Sequence, residues 1–313
     1  MVTGRSLTIG ATILTVALGC GPVCGEAAKP VLRFAWPSAG EAQVELTDER
    51  SVGDQSRTIV LTMRLRIEPD GASDRRVVRL SDARLVSIDG ASPGDVDPEH
   101  TLFAVGRVMK CVTPTMIIGR EGRYLETRDL DRLVREVLEA AGFPAPPPGL
   151  DSFSRLLDDV ASEDWSTWIG AWIGEQLAPG EKTESSMELP LDGAQVPVHF
   201  TRRGLTPSAP EGTTRLEASA VYPSESVRRY TSGFLIDMAR EAKELGDDDP
   251  FASARFLESA RYGPLTQTLT VELETATMRP LFAERTRTFV AVHRKHRVQG
   301  RERRTHKFTW VTD

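Results

Sequence analysis

Between Arg57 and Glu68 the chain alternates with a period of two. Ile59, Leu61, Met63, Leu65 and Ile67 are apolar, while Thr58, Thr62, Arg64, Arg66 and Glu68 are polar. Successive side chains of a strand point to opposite faces, so this pattern describes a strand with one dry face and one wet face. Antiparallel sheets accommodate that, whereas strands of parallel sheets tend to be apolar on both sides. Asp70-Gly71 marks a turn, and Arg76–Ile88 follows as a partner strand. Leu102–Val112 and Thr115–Ile118 are further short strand candidates.

The middle of the chain changes period. Leu130, Leu133, Val134, Val137 and Leu138 form one stripe of an amphipathic helix that Thr127 or Asp129 can cap and Gly142 ends. Pro144–Pro148 reads as a stiff connector. A second helix carries Leu150, Phe153, Leu156, Leu157 and Val160, and a third carries Trp165, Trp168, Ile169, Trp172, Ile173 and Leu177. Strands resume at Ser186–Leu191, Gln195–Arg203 and Thr214–Tyr222. A fourth helix is expected from Ser224 or Ser226 through Tyr230, Phe234, Met238 and Leu245, ending at the acidic loop Gly246–Pro250. Leu269, Val271 and Leu273 alternate with polar residues. A terminal hairpin is expected from Phe289–Arg297 and Thr305–Thr312, turning at Gln299-Gly300-Arg301.

Strands, helices, strands, helix, strands is a segregated order. It predicts an α+β fold, an antiparallel sheet with about four covering helices. Residues 31–313 read as a single body, or as two similar halves, 31–125 and 185–313, joined by a helical block at 127–178. With 40% hydrophobic and 27% charged residues the chain has the balance of a folded protein. Its formal charge of −6 argues against nucleic acid as a partner.

The N-terminus carries a separate message. Arg5 precedes an apolar run from Leu7 to Leu18, which ends in Gly19-Cys20. That is the layout of an export signal, and the run is shorter than the roughly 20 residues a spanning helix needs. Cys20 directly after Ala17-Leu18-Gly19 resembles the lipobox of bacterial lipoproteins. The resemblance implies a signal peptide at 1–19, acylation of Cys20, a flexible tether at 20–30, and anchoring to a membrane. Gly21 after the cysteine favours the outer membrane over retention at the inner one. The alternative is an ordinary secretory signal cut after Ala27 or Ala28, leaving a secreted or periplasmic protein. If Cys20 carries the lipid, Cys24 and Cys111 are the cysteines left to pair, or Cys111 is a small buried hydrophobe.

Export, a lipid anchor, an antiparallel sheet and a few covering helices together resemble the LolA/LppX-type lipoproteins. That resemblance implies a curved, half-barrel-like sheet cupping a hydrophobic cavity. No motif residue carries it, so it assigns no functional residue.

Trp165, Trp168 and Trp172 are the candidates for lining such a cavity; their other reading is packing of the helix onto the sheet. Arg301, Arg303 and Arg304, in a basic terminal hairpin, are candidates for contact with an anionic partner, or else a charged sheet face. His293, His296 and His306 lack accompanying ligands at metal spacing and read as surface histidines. Asp158-Asp159 and Asp247–Asp249 read as solvated carboxylates. Gly-x-Ser-x-Gly, His-Glu-x-x-His and phosphate-binding glycine loops are absent from the sequence. The expectation is a non-enzymatic lipoprotein of the cell envelope with no metal or cofactor, binding a hydrophobic ligand or an envelope partner.

Overall fold

A computed structural model describes residues 31–71, 74–95, 115–130, 150–191, 194–207, 212–224, 227–228, 231–232, 234–235, 259–293 and 296–311. Several expectations lie outside them: the signal peptide and Cys20, the tether, Cys24 and Cys111, the strand at 102–112, most of the first helix, and the acidic loop at 246–250.

The described strands are β1 (Gly40–Val52), β2 (Gln55–Pro69), β3 (Arg76–Ile88), β4 (Thr115–Ile118), β5 (Tyr124–Arg128), β6 (Lys182–Leu191), β7 (Ala194–Leu205), β8 (Thr213–Tyr222), β9 (Arg261–Tyr262), β10 (Leu265–Glu274), β11 (Pro280–His293) and β12 (His296–Trp310). One helix, α1 (Leu150–Trp168), is described from end to end. All strands join one antiparallel sheet in the order β5-β4-β3-β2-β1-β12-β11-β10-β8-β7-β6, with β9 beside β11. The chain runs as a meander from the centre to one edge, crosses with α1, and meanders back. The first and last long strands, β1 and β12, are neighbours at the centre over eleven paired positions.

Architecture and expectation differ in proportion. The body is dominated by its sheet and is not evenly divided between strands and four helices. The second and third expected helices are one. Between Val160 and Trp165 the sequence Ala161-Ser-Glu-Asp164 contains no breaker, so α1 runs through. It stops at Gly170, where a 3-10 turn (Gly170–Trp172) follows, and Gly174 then takes a positive φ of 84°. Trp172, Ile173 and Leu177 therefore lie beyond the helix. Part of the fourth expected helix is seen, since Ser224, Val227, Arg228, Thr231, Ser232, Phe234 and Leu235 are helical.

The β11–β12 pairing extends from Phe282↔Lys307 to His293↔His296, so Gln299–Arg301 lie within the ladder and not in a turn. Gly300 is an interior position of β12 opposite Phe289, and a Cβ there would lie 2.1 Å from the Phe289 ring. This glycine makes room for a neighbour within the ladder; it does not make a turn.

α1 shows that the sheet is curled. Asp158 accepts hydrogen bonds from the Tyr124 hydroxyl (2.5 Å) and the Thr127 hydroxyl (2.6 Å) on edge strand β5. Five residues later, Glu163 binds Arg285 and Arg287 on β11. Five helical residues rise about 7.5 Å. Six strand spacings, the separation of β5 from β11, would span about 29 Å in a flat sheet. Only a sheet wrapped around the helix lets one short stretch of α1 reach both.

The concave face is the core. Ala42, Val44 and Leu46 of β1, the five alternating residues Ile59–Ile67 of β2, Leu269, Val271 and Leu273 of β10, and Phe308 of β12 pack there against Trp165, Trp168 and Trp172. The entering segment 31–37 crosses the same region. Leu32 exchanges backbone hydrogen bonds with Gly174 and Glu175, and the Trp36 indole donates to the Met278 carbonyl at 3.1 Å. Farther along, Val198, Phe200, Tyr222, Leu265, Phe289 and Val298 meet Val227, Phe234 and Leu235 in a second cluster.

Gly300→Val tests the β12 register. Overpacking against Phe289 should lower unfolding stability by about 1–3 kcal/mol in a urea titration. An unchanged midpoint would place residue 300 in a turn after all.

Candidate functional site

The apolar rows of the concave face are interrupted by two charged ones. Arg50, Glu302, Arg287 and Gln267 stand opposite one another across β1, β12, β11 and β10. The next row is Asp48, Arg304, Arg285 and Leu269. Apolar rows flank this belt on both sides, with Val52, Gly300 and Phe289 beyond Arg50, and Leu46, His306, Ala283 and Val271 beyond Asp48. Strand alternation puts all these positions on the same face, so the charges are fixed inside the fold.

α1 closes the belt with Glu163 and Asp164. Glu163 accepts from both Arg285 and Arg287, and Arg304 donates to Asp164 at 3.3 Å. Arg285 also donates to Glu302 at 3.3 Å, and Arg287 to Gln267 at 2.8 Å. Asp48 lies 3.7 Å from Arg50 and 3.9 Å from Arg304. Arg50 also sits over the Phe234 ring, 5.8 Å from its centre. Among the described residues, four arginines thus face four carboxylates, every one of them buried. Equal numbers matter here: an unpaired ion in this setting would cost several kcal/mol. Burial opposes ionisation of Glu302, but Arg285, Arg287, Arg50 and Arg304 outweigh it and hold the carboxyl well below its usual range.

His306 borders the belt beneath Trp168, with ring centres 5.0 Å apart. It is 1% exposed, and neither ring nitrogen has a hydrogen-bond partner among the described residues. Burial lowers its pKa from 6.5 to about 4. The expectation of a surface histidine is therefore corrected, because strand alternation turns this position inward. Asp158, expected to be solvated, is likewise engaged with β5, and burial, reinforced by this carboxylate, pushes the Tyr124 hydroxyl pKa up. Among the described residues no group of three or more side chains is placed to hold a metal.

The indoles are packing residues. Trp165, Trp168 and Trp172 are each 1% exposed or less. Trp165 donates to the Gly122 carbonyl at 2.8 Å and meets Phe34 and Trp36 edge-on; Trp172 donates to the Thr167 carbonyl at 2.8 Å. None of the three lines a described cavity.

The basic triad is divided. Arg301 and Arg303 face outward, while Arg304 faces the core against Asp48 and Asp164. Arg303 is engaged by Glu284 at 2.7 Å and Glu49 at 3.4 Å. Residues two apart share a face of a strand; residues one apart do not.

Sequence reading missed one opening in the body. An apolar slot of about 150 Å³ lies where segment 31–37 meets the chain after α1. Leu32, Leu177, Ala178, Pro179, Leu205 and Pro207 form its walls, with Thr213, Thr214 and Arg215 at the rim. Glu175, also at the rim, is ion-paired with Arg202, and burial raises its pKa against that pairing. The slot is assembled from three distant stretches of chain, so no local motif announces it. A larger groove, about 530 Å³, lies on the outer face between Glu41, Thr62, Arg64, Asp82 and Arg84. Its charges largely answer one another, with Arg64 at 3.0 Å from Glu41 and 3.6 Å from Asp82.

No family model matches this chain, and no curated protein matches it. Among solved structures it is similar to lipovitellin, in a study of lipid-protein interactions, at a TM-score of 0.41 and 6% identity. The match covers 88% of this chain and 25% of the lipovitellin chain, so the present chain spans about a quarter of that protein's length.

Two outcomes test the belt. Glu163→Ala should lower stability by about 3–5 kcal/mol, because it strands two buried arginines. Arg303→Ala, at a partly exposed pair, should cost under about 1 kcal/mol. The second outcome concerns pH. Unfolded His306 binds a proton near pH 6.5 and the folded residue only near pH 4. The unfolded state therefore holds more protons in that window, and stability should fall as pH drops from about 6.5 to about 4. Glu302, depressed in the fold, adds a further loss below its ordinary range. His306→Phe should flatten the upper window alone in urea titrations at several pH values.

Proposed function

We propose that this protein is an exported, lipid-anchored, non-enzymatic binding module of the cell envelope, and that it grips one apolar group of its ligand in the slot walled by Leu32, Leu177 and Leu205. The observation that supports the reading is the slot itself: an apolar opening beside a core that the chain's own tryptophans, ion pairs and second apolar cluster occupy. Its volume is that of a cavity known to take a benzene-sized group. Drug-sized ligands need roughly 300–1,000 Å³, so the slot suits one branched or aromatic group, or the end of an acyl chain. A ligand swallowed whole beneath α1 would have to displace Trp165, Trp168 and Trp172 and break the belt.

The anchor rests on the lipobox resemblance around Cys20, with the outer membrane as the favoured site and a secreted or periplasmic form as the alternative. No helix among the described residues is long and apolar enough to cross a membrane.

Native mass spectrometry after gentle purification should show retained apolar ligand, and a fluorescent fatty acid should bind in titration. Leu205→Trp, which fills the slot, should weaken that binding at least about tenfold without unfolding the body. A chain that never retains ligand and never binds the probe would end the proposal. Separately, Cys20→Ser should move the protein from the membrane to the soluble fraction and abolish the acyl mass on the mature N-terminus.

A further inference from the structure

Charge pairing along the outer row of β12 changes partway along the strand. Lys307 meets Glu45 at 2.8 Å, and Arg303 meets Glu284 and Glu49. Arg301 and Arg297, farther toward the hairpin end, are exposed and have no carboxylate partner among the described residues. Arg261 on β9 joins them. It stands opposite Val292, which in turn stands opposite Arg297, so Arg261 and Arg297 flank Val292 on the same outer face. Two strand spacings separate these two arginines, about 10 Å, and four strand residues separate Arg297 from Arg301, about 14 Å. Thr288 lies opposite Arg301, and Gln299 opposite Val290. An opposing charge, Asp54, belongs to the β1–β2 turn, whose Gly53 amide donates to the Gln299 carbonyl at 3.1 Å.

The surroundings decide what this patch fits. A protein interface concentrates its energy in a desolvated apolar or aromatic centre with a ring of polar contacts. Here neither described cavity lies at the patch, and its apolar members are the half-buried Val290 and Val292. Hydrated, widely spaced guanidiniums on a sheet face instead match a diffuse field of phosphates, each of which the planar fork can grip in two places. We propose that the outer face at the far end of the β11–β12 hairpin, through Arg261, Arg297 and Arg301, docks on the phosphate headgroups of an anionic membrane surface. The slot lies on other elements, so this docking surface stands independently of the ligand reading.

The test uses the full chain carrying Cys20→Ser, so that acylation contributes nothing. Sedimentation compares vesicles of phosphatidylcholine with vesicles of phosphatidylcholine and phosphatidylglycerol. Any apolar attraction of the leader is common to both lipids. At low salt the chain should prefer the anionic vesicles, by up to about fivefold for each engaged arginine, and salt should erase the preference. The triple variant R261E, R297E and R301E should lose it, and the mild Arg301→Gln should reduce it by up to about fivefold. Arg303→Glu, on the same strand at a site already neutralised, should retain most of the preference. Equal binding to both vesicles overturns the proposal, as does an Arg303→Glu effect equal to that of the triple variant. Retention on immobilised polyglutamate without vesicle preference also overturns it, and gives the patch to an acidic protein instead.

Discussion

The ion belt under α1 is the interaction on which the rest of the body depends. An open antiparallel sheet has two faces and two edges, and a long one needs something to close its concave side. Here much of the closure comes from α1, whose Glu163 and Asp164 enter a row of arginines contributed by β11 and β12, while Val227, Phe234 and Leu235 cover the next stretch of the same face. Buried ion pairs contribute little net stability compared with apolar packing, but a half-broken one is costly. The belt therefore acts less as glue than as a register mark: α1 fits where its two carboxylates meet Arg285, Arg287 and Arg304, and a slip in either direction would strand charges in the core. The same pairing binds β1 to β12, since Asp48 and Arg50 complete the rows from the other half of the sheet.

Curvature, tryptophans and slot follow from that placement. With α1 held against β11 at one point and against Tyr124 and Thr127 of β5 at another, the sheet must wrap around it. Wrapping leaves room for large side chains, and Trp165, Trp168 and Trp172 fill it with their apolar surfaces. The chain leaves the helix at Gly170 and passes Leu32 on its way to β6. The slot opens where these stretches cross and no side chain is left to occupy the space. The opening is a by-product of topology, which is why it is small and apolar.

The outer face obeys a different rule. Its charges are solvated, and most find partners across strands, so a positive residue gains meaning only where a partner is missing. Arg301 and Arg303 are two residues apart on the same face with the same side chain, and Glu284 and Glu49 make the second neutral while the first has no carboxylate partner among the described residues. Strand neighbours, not local composition, set the electrostatic pattern.

Strands with clean alternation were legible in the sequence. β2, β3, β4 and β8 begin and end within about two residues of the expected positions, and in β2 and β8 one apolar face is written directly into the sequence. β1 was missed and β11 and β12 were cut short for a single reason: their inward positions include Asp48, Arg50, Arg285, Arg287, Glu302, Arg304 and His306, which break the apolar half of the pattern. A charge read alone looks solvated, and only its partner from a distant strand makes it a core residue. The sequence by itself determined the antiparallel sheet, the helical content of residues 150–168 and the apolar character of the tryptophan stripe. Tertiary structure decided which charges are inside, that two expected helices are one, that Gly300 lies in a strand, and where the slot and the outward arginines fall. Period and propensity are local quantities, whereas pairing across strands brings together residues more than two hundred positions apart, and no local pattern encodes that meeting.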